Sequence, residues 1–277
     1  MDRFPYLGTR AMAWALFAMV LPLPAARAQT FPTVPINLSG TSRAEIPAIA
    51  IGPSGDINVV WLDAGAGAIL FRRSPAGGGA FSGTMFVATT NLPSQASQPQ
   101  IAVNAAGVYV AWGGTNSSGK GDIFFSTLAS NGSTFSAPVN VSNGRGIASG
   151  SGAPVPHIAV DSSGGVDIVW GQSAAFFARS TDQGQSFATV TQLSSSPTAS
   201  ESPRIAIDSR EFVYTVWANA DPTCPSITFA RSTNAGGNFV KYQAEEPDTM
   251  HFIMYDNPAF FQAQLRTFLT TPGTPRP

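Results

Sequence analysis

The sequence predicts an all-β chain assembled from about four copies of one four-stranded antiparallel unit. Three observations predict it. Only 11% of the 277 residues are charged, the formal net charge is −1, and 27 Gly and 22 Pro are present, which suits strands joined by many turns and not a helical bundle. A pattern Pro-x-Ile-Ala-Ile/Val, a turn, then an apolar run ending in Trp recurs with a period of roughly fifty residues. An eight-residue stretch, Ser180-Thr181-Asp182-Gln183-Gly184-Gln185-Ser186-Phe187, recurs as Ser232-Thr233-Asn234-Ala235-Gly236-Gly237-Asn238-Phe239. Weaker copies are Ser74-Pro75-Ala76-Gly77-Gly78-Gly79-Ala80-Phe81 and the stretch ending Gly132-Ser133-Thr134-Phe135.

Taken in order, residues 1–28 read as a secretory signal. Arg3 and Arg10 give a positive start, Ala11 to Leu21 is an apolar run too short for a comfortable membrane span, and Ala26-Arg27-Ala28 is an A-x-A cleavage site before Gln29. Pro35-Ile36-Asn37-Leu38-Ser39 resembles Pro138-Val139-Asn140-Val141-Ser142 and reads as an isolated fourth strand ahead of the first unit. The first strands of the units open at Pro47, Pro99, Pro156 and Pro203, and the second strands end at Trp61, Trp112, Trp170 and Trp217. Between them lie hairpin turns: Gly52-Pro53-Ser54-Gly55, Asn104-Ala105-Ala106-Gly107, Asp161-Ser162-Ser163-Gly164 and Asp208-Ser209-Arg210-Glu211. Third strands follow at Ile69-Leu70-Phe71, Ile123-Phe124-Phe125, Phe176-Phe177-Ala178 and Ile227-Thr228-Phe229, then the eight-residue turn, then a fourth strand such as Val139-Asn140-Val141 or Ala188 to Leu193. Four antiparallel strands per repeat describe the blades of a β-propeller, in residues 29–243. Stacked blades bury their apolar rows against each other, so the Trp residues are expected to pack between blades. Residues 244–277 form a tail with one helix expected from Asn257-Pro258 through Leu269, ending in a Pro- and Thr-rich segment.

The pattern Ser-x-Asp-x-Gly-x-x-aromatic resembles the Asp box, or BNR repeat, of sialidases and other β-propellers. That resemblance implies six blades where four are recognisable here. It implies a structural role for Ser180, Asp182, Gly184, Phe187, Ser232, Asn234, Gly236 and Phe239, on outer turns remote from the central pocket. For activity it implies an arginine triad that grips a substrate carboxylate, a Tyr nucleophile paired with Glu, and an Asp acid/base. Arg43, Arg72, Arg73, Arg145, Arg179, Arg204 and Arg231 are available; Arg72, Arg179 and Arg231 read as equivalent positions before the box, and Pro203-Arg204-Ile205-Ala206 only echoes the family's Arg-Ile-Pro motif. Tyr109 and Tyr214 lie inside strands without a paired Glu, so the catalytic residues are left unassigned. The tail, with His251 ahead of its helix, resembles the end of an α/β-hydrolase. No Gly-x-Ser-x-Gly elbow exists: Gly79 and Gly83 flank Phe81, and Gly146 and Gly150 flank Ala148.

The remaining candidates have bland readings. Cys224, the single cysteine, lies in a loop without a His near it in sequence; His157 reads as a surface or packing residue. One Asp per turn at Asp161 and Asp208 is too few for a calcium site, so neither metal nor cofactor is expected. The charge balance gives no footprint for nucleic acid, and no membrane contact is expected once the signal is removed. The first expectation is therefore a secreted or periplasmic propeller that binds a glycan or an extracellular protein. The second is an exo-sialidase type glycoside hydrolase, and the third a non-functional join of propeller and hydrolase tail.

Overall fold

The computed structural model describes residues 35–40, 43–89, 98–116, 120–145, 154–171, 173–194, 200–219, 226–243 and Arg266. The chain divides into Met1–Asn37 and Leu38–Pro277, and the strands all belong to the second unit. The signal segment, Cys224, His251 and the helix expected from Asn257 lie outside the described residues, except Arg266, which is helical.

Sixteen strands are described, in four antiparallel sheets of four. Blade 1 holds β1 (Ala44–Ile51), β2 (Ile57–Asp63), β3 (Ala68–Ser74) and β4 (Met85–Thr89). Blade 2 holds β5 (Gln100–Val103), β6 (Gly107–Thr115), β7 (Gly121–Ala129) and β8 (Val139–Asn140). Blade 3 holds β9 (Pro156–Val160), β10 (Val166–Gly171), β11 (Ala175–Ser180) and β12 (Val190–Gln192). Blade 4 holds β13 (Ser200–Ile207), β14 (Val213–Asn219), β15 (Ser226–Ser232) and β16 (Val240–Gln243). Each is a meander with its strands in sequence order. The inner strands pack in the series β1, β5, β9, β13, while β13 makes no comparable packing with β1. The molecule is thus an all-β, propeller-like chain.

The middle strands of blades 2 and 3 are buried on both faces because each of these two blades has a neighbour on both sides; β6 is buried from Gly107 to Gly114 and β10 from Val166 to Trp170. Ile158, Val160, Ile168 and Trp170 of blade 3 pack on Tyr109, Ala111, Ile123 and Phe125 of blade 2. Blades 1 and 2 meet through Val60, Ile69, Phe71, Val110 and Trp112, and blades 3 and 4 through Val169, Phe177, Ile205, Val213 and Trp217. The four repeat tryptophans are all buried; each removes well over 100 Å² from water, worth several kcal/mol at about 25 cal/mol per Å².

The turns hold this register with local hydrogen bonds. In blade 3 the Ser180 hydroxyl accepts from the Gly184 N–H at 2.8 Å and donates to Asp182 Oδ1 at 2.5 Å, while Asp182 accepts from the Ser186 N–H at 2.9 Å and hydroxyl at 2.6 Å. Blade 4 repeats this with Ser232, Asn234, Gly236 and Asn238. Gly184 has φ +87° and sits against the Phe125 ring of the preceding blade, 2.1 Å from where a Cβ would be. Gly236 meets Phe177 in the same way, at 2.4 Å. The aromatic that ends each turn stands edge-on to the third-strand Phe of the blade before it: Phe135 on Phe71, Phe187 on Phe125, Phe239 on Phe177.

Two expectations need correction. Residues 35–40 form no strand; the fourth-strand places of blades 1 and 4 are already filled, by β4 on β3 and by β16 on β15. The fourth strand of blade 3 is only Val190–Gln192, not Ala188 to Leu193, because the turn carries the chain away from β11 until Val190 pairs with Ala178.

Candidate functional site

In a four-stranded meander the turns between strands one and two and between strands three and four share one end. The other end gathers the starts of the inner strands and the loops between strands two and three. The two ends differ in what their polar groups do.

At the turn end, side chains serve the backbone. Asp161 Oδ1 accepts from the Ser163 N–H and hydroxyl and from the Gly165 N–H at 2.7–2.9 Å. Asn104 and Asp208 cap their own turns likewise. Tyr214 donates to Asp208 at 2.9 Å, beside Arg210 at 2.7 Å. Burial would raise Asp208, but the bonds from Arg210, Phe212 and Tyr214 hold it at about 2. Asp182 is also held at about 2, first by Ser180 and then by Ser186. Nearby, the Arg179 guanidinium pairs with Asp161 and, at 2.9 Å, with Asp167. One cation faces two carboxylates. Burial opposes ionisation of Asp161, yet the bonds from Ser163, Gly165 and Arg179 keep it below the usual range. Asp167 is fully buried, and its Oδ1 has no partner. Burial pushes it up to about 7 against the pull of Arg179. Near neutrality a proton on Asp167 leaves a balanced Asp161–Arg179 pair between blades 3 and 4.

At the other end the inner strands begin irregularly. Between Glu45 and Ala48 the ladder slips by one residue, so that Ile46 and Pro47 together oppose Trp61. Between Glu201 and Arg204 the same slip sets Ser202 and Pro203 opposite Trp217. Proline has no N–H to give to the ladder, and a bulge takes it out of register. The residue before each proline bends into the left-handed region, φ 52° at Ile46 and 48° at Ser202, an uncommon conformation for a β-branched residue. Such bulges re-aim side chains at the rims of barrels and next to sites. They place Arg43 and Glu45, both exposed, at the start of β1 and exposed Arg204 on β13. On β9 between them, His157 Nδ1 accepts from the Ile205 N–H at 3.3 Å, which ties blade 3 to blade 4. Burial, then Arg204, pull His157 down to about 4, so it is neutral above that pH and keeps its second nitrogen as a donor. Asp63, which ends β2, and Asp122, near the start of β7, stand at this end but accept local hydrogen bonds. Asp63 accepts from Gly65 and Ala66. Asp122 accepts from Ser142, Gly144, Asn116 and Asn140. The bulges are what reading the sequence missed; a Pro inside the inner strand, opposite the repeat Trp, was the available signal.

The residues weighed for catalysis are not brought together. The ladders pair Arg73 with Asn58, Arg179 with Asp167 and Arg231 with Tyr214. Arg73, not Arg72, is therefore the counterpart of Arg179 and Arg231: the side chain of Arg72 leaves the other face of β3 and bonds Thr84 at 2.9 Å. The three equivalent arginines occupy one register position in three different blades. Tyr109 is buried and stacked on Phe125, and the carboxylate bonded to Tyr214 is Asp208, at the turn end. Among the described residues no cluster of His, Cys, Asp and Glu could hold a metal ion.

No family model and no curated protein matches this sequence. Solved structures do match in shape. The K499G mutant of the NanB sialidase from Streptococcus pneumoniae aligns with a TM-score of 0.55 at 9% identity, over 75% of this chain and 53% of that one. A protein of unknown function from Dyadobacter fermentans aligns with a TM-score of 0.54 at 10% identity, over 73% of this chain and 69% of that one. The chain spans about half the length of the sialidase chain it matches. At such identities the likeness is one of fold, and the fold it shows is a sialidase-like β-propeller.

Proposed function

We propose that this chain is an exported propeller that binds carbohydrate at the inner-strand end without turning it over. The observation that carries the reading is the placement of the arginines: Arg73, Arg179 and Arg231 repeat with the blades instead of converging. A carboxylate grip needs several guanidinium groups aimed at one point, and groups on three separate blades at the turn end do not supply it. The strand-start end supports binding. It offers a carboxylate at Glu45, guanidinium groups at Arg43 and Arg204 and a neutral imidazole at His157, a mixed donor and acceptor set of the kind that recognises hydroxyls. The box residues Ser180, Asp182, Gly184, Phe187, Ser232, Asn234, Gly236 and Phe239 are assigned to holding the blades. Export rests on the signal pattern of residues 1–28.

The second reading, an exo-sialidase type hydrolase, is favoured by the fold shared with a sialidase. One pair of measurements separates the two. Binding to an array of neutral and sialylated glycans, weakened at least tenfold by Glu45→Gln with Arg204→Gln, together with no release from a fluorogenic sialoside, is the expected result. Sialoside turnover at ordinary enzyme rates reverses the order of the readings.

A further inference from the structure

We propose that the joint between blades 3 and 4 is a proton-gated seam, tight while the buried carboxyl of Asp167 carries a proton and loosened when it ionises. The pleat places the groups. Val166, Ile168 and Trp170 of β10 turn toward blade 2, while Val169 turns toward Ile205, Val213 and Trp217 of blade 4. Asp167 therefore shares the blade 4 side. Arg179 shares that side with Phe177 of β11, and Asp161, just past β9, shares it with Ala159. The ladders make Asn58, Tyr109 and Tyr214 the counterparts of Asp167, opposite Arg73, Thr127 and Arg231. Of the four described blades, blade 3 alone puts a carboxylate at this place.

The balance of charge decides where the proton goes. Arg179 reaches Asp161 through one terminal nitrogen and Asp167 through the other, and the two carboxylate side chains are 1% and 0% exposed. One cation and two buried carboxylates leave one net negative charge, and an uncompensated charge in such a place is costly. The carboxylates are not equal. Asp161 also accepts from the Ser163 N–H and hydroxyl and from the Gly165 N–H. Asp167 has Arg179 alone on Oδ2, at 2.9 Å, and no partner on Oδ1. The negative charge therefore settles on Asp161 and the proton on Asp167. Burial holds Asp167 up at about 7 against the pull of Arg179, and Asp161 adds to the rise. Blade 4 offers nothing to replace that proton. Its packed side presents Ile205 and Ile207 of β13, Val213 and Trp217 of β14, Ala230 of β15 and Phe239 of the turn. The charge of Arg204 acts on His157. Asp208 is bonded to Arg210 and Tyr214, and Asp182 to Ser180 and Ser186. On the blade 2 side Tyr109 is raised first by burial, lowered by Asn104 and raised again by Asp161, and so stays neutral.

The folded carboxyl holds its proton more tightly than the ordinary value of 3.8, so its contribution is complete below 3.8 and is lost as the pH rises through about 7. His157, at the other end of the same seam, runs the opposite way. The test therefore uses the full chain carrying His157→Gln, which removes the opposing group. Hydrogen exchange of peptides from β10 and β13 is followed by mass spectrometry at pH 5, 6, 7 and 8, with exchange times scaled for the intrinsic rate. Protection of these peptides is expected to fall roughly tenfold from pH 5 to pH 8, with little change in peptides of β2 and β3. Adding Asp167→Asn is expected to abolish the fall. Asp161→Asn keeps an Oδ1 acceptor for its turn and leaves Arg179 one carboxylate to balance, so it is expected to shift the fall toward lower pH. Where Asp167→Asn disturbs the fold, seen in its far-UV circular dichroism, Asp161→Asn gives the same reading. A fall that survives both substitutions overturns the proposal. So does a loss spread evenly over the four blades, or protection that does not change with pH.

Discussion

The two ends of the blades carry similar side chains and use them differently. At the turn end Asp161, Asp182 and Asp208 are each held by several backbone or hydroxyl donors, and Gly184 and Gly236 lie against aromatic rings of the preceding blade. At the strand-start end Arg43, Glu45 and Arg204 are exposed, and the backbone bends through two proline bulges to present them. A carboxylate already filled with donors has little capacity left for a ligand. The difference teaches where function has room: the conspicuous repeated motif builds the blade, and the irregular, non-repeating end is free to recognise something.

The sharpest way to break that comparison is at Gly184. A methyl group there faces both a left-handed backbone and the Phe125 ring 2.1 Å away. Gly184→Ala is expected to lower stability by about 2–4 kcal/mol, strain and overpacking together. Gly77, in the weak turn of blade 1, has φ +84° but nothing within 4 Å of its Cβ position. Gly77→Ala should therefore cost only the backbone term, about 1 kcal/mol. Urea unfolding of both variants decides it. Equal losses would show that contact with the preceding blade adds nothing at Gly184.

That pair of glycines also marks what the sequence disclosed. Turns were legible because Ser180, Asp182 and Gly184 act within a few residues of one another, and the hairpins and third strands followed from alternation. Contacts between blades were not, since Gly184 and Phe125 are brought together only by stacking. The equivalence of Arg73, not Arg72, needed the ladder register: one residue of slip moves a side chain to the other face. The bulges at Ile46 and Ser202 were missed because a proline at a strand start reads as an ordinary boundary until its ladder is drawn. The site suffered most, since exposed groups such as Glu45 and Arg204 follow no period.

A smaller effect sharpens the same contrast. Asp182 accepts from Ser180 and from both donors of Ser186, so Asp182→Ala should cost about 1 kcal/mol, as the loss of a capping side chain does. Glu45, exposed at the other end, should tolerate Glu45→Ala within about 0.5 kcal/mol while glycan binding falls. Thermal melts beside binding isotherms test the pair. A reversal, with Asp182→Ala neutral and Glu45→Ala destabilising, would exchange the roles assigned to the two ends.

His157 crosses the division, because it lies at the strand-start end yet joins two blades through the Ile205 N–H. Its bond requires the neutral ring, and burial followed by the Arg204 charge lowers it from 6.5 to about 4. A proton binds the unfolded chain first, so this contribution is complete above pH 6.5 and is lost as the pH falls from there toward 4. The ring is only half-buried, and screening by solvent reduces the effect to less than about 1 kcal/mol at pH 5. Melting temperatures measured from pH 7.5 to 4.5 should fall more steeply in the unaltered chain than in His157→Gln, whose amide oxygen can accept the same N–H and does not titrate in this range. Parallel slopes would place the acid sensitivity elsewhere, among carboxylates such as Asp161 whose bonds fail at lower pH, and would leave His157 to the ligand-facing role of its neighbours.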